Sequence, residues 1–150
     1  FIPQDGDTLK SADVRADTNY GTAASPTGTP AVTDVVTLNW SGIGLGDLAI
    51  DRSDNMLYVS TTRTSESGAN FFSVDLDNPS VQQEIASESD GDRTEFAIKS
   101  QLAFENDILW AHNAGTGELR TVNLSDGSLS EVVAVTRQYT DLSQCGFRET

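Results

Sequence analysis

Cysteine, histidine and methionine each occur once in this chain of 150 residues, and lysine twice, at Lys10 and Lys99. No apolar run comes near the roughly 20 residues that a membrane-spanning helix requires, so no membrane insertion is expected. The single Cys145 rules out an internal disulfide framework and any Cys-x-x-Cys pair, and it reads as a buried thiol. With His112 as the sole imidazole, a zinc site built on two histidines is excluded. Nine Lys and Arg stand against 23 Asp and Glu, a net charge of −14. That shortage of cations excludes nucleic acid as a partner, because phosphates need cationic contacts, and it disfavours anionic membranes for the same reason. The chain has no Gly-x-Ser-x-Gly elbow, no phosphate loop and no His-Glu-x-x-His, so nothing supports an enzyme. Gly42, Gly44 and Gly46 have the wrong spacing for a dinucleotide fingerprint and no helical pattern follows them.

What is present is acidic, rich in Ser and Thr, and 37% hydrophobic. The carboxylates are scattered along the chain, which fits a halophilic or marine secreted protein whose charges screen one another in salt. A calcium-loaded extracellular protein is the other reading, and both place the chain outside the cell or on its surface. It begins Phe1-Ile2-Pro3, with no initiator Met, and reads as a processed or excised form. Residues 1–31 carry Pro3, Pro26 and Pro30 with Gly6, Gly21 and Gly28 and few apolar anchors, the composition of an extended arm that lies on a neighbour.

From residue 32 to 136 the chain repeats itself. Leu48-Ala49-Ile50-Asp51, Leu57-Tyr58-Val59-Ser60 and Phe72-Ser73-Val74-Asp75-Leu76 return as Leu102-Ala103-Phe104-Glu105, Leu109-Trp110-Ala111-His112 and Arg120-Thr121-Val122-Asn123-Leu124. The offset falls from 54 to 52 to 48, each loss sitting in a turn, as in a duplicated strand unit whose loops have diverged. Alternation predicts four strands in each copy: 47–51, 56–61, 70–76 and 81–86, then 101–104, 108–112, 118–124 and 129–135. Asp77-Asn78-Pro79, Glu105-Asn106-Asp107 and Asp126-Gly127 supply turn chemistry. No segment sustains a helical period, so the fold class is all-β.

This wording resembles a blade of the YVTN/NHL class of β-propellers. In that family an innermost strand ends in Asp, a polar turn precedes Leu-Tyr-Val, and a third strand ends in an acidic residue before a reverse turn. The second copy places Glu105, Trp110 and Asn123 at three of these positions, keeping size or polarity. The resemblance implies about two four-stranded antiparallel blades with the middle strands packed between them. Because a closed ring takes about 4–8 blades, it also implies an incomplete propeller that assembles with copies of itself or with the remaining blades of a larger protein. Residues 32–40 would then close a preceding blade and 137–150 begin a further one or form a tail.

The candidate sites are few. Trp110 and His112 alternate on one strand and so share a face, and with Trp40 they form a candidate glycan-stacking surface; core packing is the competing reading. Glu88, Asp90, Asp92 and Glu95 surround Gly91 and form a candidate Ca²⁺ loop, although no bidentate Glu stands at an EF-hand's twelfth position. Asn39-Trp40-Ser41 and Asn123-Leu124-Ser125 match the N-glycosylation acceptor pattern. The expectation drawn from all of this is a secreted or cell-surface structural and interaction protein. A glycan-binding module is the alternative, and a hydrolase or lyase active only in a closed ring is a more distant one.

Overall fold

A computed structural model describes residues 8–12, 21–22, 25–26, 32–39, 47–63, 68–85 and 100–135. All of their regular structure is strand, and the chain divides into two compact units, Phe1–Asn39 and Trp40–Thr150.

In the first unit β1 (Thr8–Ala12) pairs antiparallel with β4 (Val32–Thr37), from Thr8↔Thr37 to Ala12↔Val32, with the register shifting between Leu9 and Lys10. Lys10 and Asp34 face each other across the ladder and form an ion pair; an exposed pair of this kind contributes about 0–1 kcal/mol. A short pair, β2 (Gly21–Thr22) and β3 (Ser25–Pro26), lies between them in sequence. Part of the expected arm is therefore laddered, and β4, expected to close a blade, belongs to this two-stranded sheet.

The second unit holds two antiparallel meanders. The first sheet runs β5 (Leu48–Asp51), β6 (Met56–Arg63), β7 (Gly68–Asp75) and β8 (Gln82–Glu84); the second runs β9 (Ser100–Glu105), β10 (Ile108–Asn113), β11 (Glu118–Val122) and β12 (Ala134–Val135). Local chemistry explains the turns. Between β5 and β6, Asp51 Oδ1 accepts from Ser53 N (2.8 Å) and Ser53 Oγ (2.6 Å), and Asn55 takes φ 53°. Between β9 and β10 only Asn106 and Asp107 intervene, at φ 52° and 61°, the two-residue type I′ turn that matches strand twist. Asp75 and Asn123 end the third strand of their copies by one device: Asp75 Oδ1 accepts from Asp77 N (2.8 Å), and Asn123 Oδ1 from Ser125 N (3.0 Å).

The last strand of the second copy is shorter than alternation predicts. Ser130 N donates to Thr121 O (3.0 Å) and the next rung is Val133 N to Leu119 O (2.9 Å), so three residues on the outer segment span two on β11. This bulge at residues 131–132 leaves only Ala134–Val135 in regular pairing, with Leu129 bridging Val122 alone.

The two sheets pack face to face. Ala49, Tyr58, Phe71 and Ile85 of the first meet Leu102, Phe104, Leu109, Ala111 and Val122 of the second in one buried cluster. The Tyr58 and Phe104 rings stack at 5.4 Å with 16° between planes. Each large side chain buried in this way contributes about 1.5–3 kcal/mol. The opposite face of the first sheet carries Leu57, Val59, Phe72 and Val74, which are also buried.

Candidate interaction face

The two sheets are joined by a polar link as well as by apolar packing. Asp47, just before β5, donates its N–H to Ser60 Oγ (3.0 Å), and that hydroxyl donates to Ser100 O on β9 (3.0 Å). Asp47 Oδ2 then accepts the Leu102 N–H of β9 at 2.7 Å. A carboxylate and a hydroxyl on the rim of the first sheet thus hold the first strand of the second. Ser60 is 0% exposed, so a short, charge-assisted bond and a satisfied hydroxyl stand where bare edge groups would be costly.

Register carries this arrangement into the second copy. Asp47 precedes β5 opposite Ser60, and Gln101 pairs with His112 across β9 and β10. At the repeat offsets, Gln101 takes the place of Asp47 and His112 that of Ser60. The strand pairings place Gln101, Ala103, Trp110, His112, Leu119 and Thr121 on the face of the second sheet turned away from the inter-sheet core. At the outer edge of the second sheet lies an open groove of about 430 Å³, lined by Ile108, Thr121, Asn123, Leu124, Leu129 and Ser130 among others.

The sequence candidates fall as follows. Trp110 and His112 do share a face; Trp110 is half-buried and His112 is 1% exposed, so of the two only the indole is open to a ligand from solution. Asn123 is exposed, and its side-chain oxygen accepts from the Ser125 hydroxyl at 2.8 Å as part of its turn. Asn39 is exposed at the end of the first unit. Trp40, Cys145, the stretch 137–150 and the acidic loop of Glu88, Asp90, Asp92 and Glu95 lie outside the described residues. Among the described residues no group of three His, Cys, Asp or Glu side chains is placed to hold a metal ion, and no helix is long and apolar enough to cross a membrane.

Sequence reasoning missed Asp47, Ser60, Ser100 and Gln101. Their signal was present, since polar residues recur at the same two places of both copies, but its meaning depends on which strand lies beside them. Tyr58, opposite Ala49 in the core, has its phenol pushed above the usual tyrosine range by burial first, then by the charges of Asp51 and Asp54. Comparison with protein-family models, with curated proteins and with solved structures finds no match for this chain.

Proposed function

We propose that this chain is a secreted or cell-surface structural and interaction protein, built of propeller-type repeats and completed by assembly with itself or with the remaining blades of a larger protein. Two consecutive four-stranded meanders stacked through their faces, with β5 and β9 as neighbours, support the repeat reading. One observation carries the assembly reading: apolar side chains stay exposed on the second sheet and its outer segment, with Ile108, Val132 and Val133 open to solvent and Val135 71% exposed. Repeat units of this kind bury their apolar faces against neighbours, and apolar outer edges ask for a covering chain. The acidic composition supports an extracellular, salt-rich setting.

Light scattering on a sizing column, at low and high salt, tests the proposal. A discrete oligomer, or growth with concentration, is the expected result; a folded monomer at every concentration and salt level overturns self-assembly. Deleting residues 1–31 tests the arm, and an unchanged native mass would remove it from the assembly.

A further inference from the structure

The third strand of each copy ends in the same kind of turn, and what the second copy adds to it points to a modification. In the first copy Asp75 Oδ1 accepts from Asp77 N (2.8 Å) and Asn78 N (3.1 Å), so the turn asks for one side-chain oxygen. In the second copy Asn123 Oδ1 accepts from Ser125 N (3.0 Å) and also from Ser125 Oγ (2.8 Å). An amide nitrogen at residue 123 and a hydroxyl at residue 125 are thus additions that closure of the turn does not require. β11 ends at Val122, so Asn123 lies just past the strand that alternation carried to residue 124. Its backbone is pinned, with Asn123 N donating to Ser128 O (2.8 Å) and Gly127 N donating to Asn123 O (2.7 Å). Asn123 and Ser125 are both exposed, and among the described residues Asn123 Nδ2 donates no hydrogen bond.

Resting on the secreted reading above, we infer that Asn123 is an N-glycan acceptor that stays open to transfer in the folded chain. The donor class is an oligosaccharide carried on a lipid pyrophosphate and delivered by a transferase. The Nδ2–C1 bond to the first sugar forms as the C1–O bond to the pyrophosphate breaks. The lipid pyrophosphate leaves with the bonding electrons, and one amide proton passes to a base of the transferase. An amide nitrogen is a poor nucleophile because its lone pair is shared with the carbonyl. Two donors on Oδ1 stabilise the negative charge that gathers there as Nδ2 gives up its proton. This is the physical use of a hydroxyl two residues after the asparagine, and Asn123-Leu124-Ser125 supplies it. The groove of about 430 Å³ that Asn123 helps to line, with Ile108, Leu124 and Leu129, leaves room for the first sugar. Asn39 is exposed too, and Ser41 of its motif lies outside the described residues.

The test is transfer to the full folded chain. The chain is incubated with a purified oligosaccharyltransferase that reads Asn-x-Ser/Thr, a lipid-pyrophosphate oligosaccharide and, in the same tube, a short acceptor peptide. Trypsin then separates the two motifs, Asn123 on residues 121–137 and Asn39 on residues 16–52, and mass spectrometry reads each. The expected result is one glycan on 121–137, absent with Asn123→Gln, several-fold lower with Ser125→Ala and kept with Ser125→Thr. A bare 121–137 while the free peptide is modified overturns the inference, and so does undiminished transfer to Ser125→Ala. Transfer in the tube does not depend on where the chain resides, so the two readings fail separately. If 121–137 accepts the glycan but the natural chain is found inside its cells, the acceptor stands and the secreted reading falls. If the natural chain is found outside the cell while 121–137 stays bare in the tube, secretion stands and the acceptor falls.

Discussion

At the scale of single residues, Ser60 bears the most consequence for its size. Its hydroxyl accepts from Asp47 N–H and donates to Ser100 O, with no solvent to replace either bond. Ser60→Ala is expected to destabilise the fold by about 1–3 kcal/mol, the cost of leaving buried polar groups unsatisfied, read as a lower urea midpoint with an unchanged slope. Tyr58 gives a pH prediction. Its phenol is raised, so the folded chain keeps a proton that the unfolded chain has lost; the neutral ring's stabilisation is intact below about pH 10, the unfolded value, and falls as pH rises through the folded one. The stability of the natural chain should fall relative to that of Tyr58→Phe as pH rises above that value, read from unfolding curves on either side of it, and a constant difference would refute the assignment. Sequence alone put Tyr58 in a middle strand but expected its neighbours Leu57 and Val59, which point to the other face, to pack between blades. The nearness of Asp54 across the hairpin turn and the stacking on Phe104 follow from the folded backbone.

At the scale of elements, the β9–β10 hairpin is held by a turn in which both Asn106 and Asp107 have positive φ. Asp tolerates that region less well than Gly, so Asp107→Gly should stabilise the hairpin by about 0.5–1 kcal/mol, visible as a raised thermal midpoint. In β5, Ala49 lies in the tight space between the sheets, opposite Tyr58. Ala49→Leu is expected to cost about 1–3 kcal/mol through overpacking, measured by denaturant unfolding. Most strands were legible because alternation and turn residues are local signals, and the turns at Asp51, Asp75 and Asn123 close through their own side chains. The outer strand after Asp126-Gly127 was not fully legible. Leu129–Val135 alternates well enough for a strand, but the bulge at residues 131–132 depends on Ser130, whose Oγ accepts the Thr121 N–H at 3.0 Å, a substitution that no propensity encodes.

At the scale of the whole molecule, net charge sets the conditions for stability. With 23 acidic residues against nine basic ones, self-repulsion opposes the compact state and is screened by salt. The thermal midpoint should therefore rise from low to molar NaCl, and a flat or falling midpoint would count against the halophilic reading. The sequence by itself determined the all-β class, the two four-stranded copies and most of their turns, because strand alternation and left-handed Asn and Asp positions are written within a few neighbouring residues. Which faces meet was decided only by the tertiary structure. Both faces of the first sheet are apolar, one bearing Ala49, Tyr58 and Phe71 and the other Leu57, Val59 and Val74, so alternation cannot choose between them. The choice is made where Asp47 reaches across 55 positions of sequence to the Leu102 N–H, a bond that exists only once β5 and β9 lie side by side.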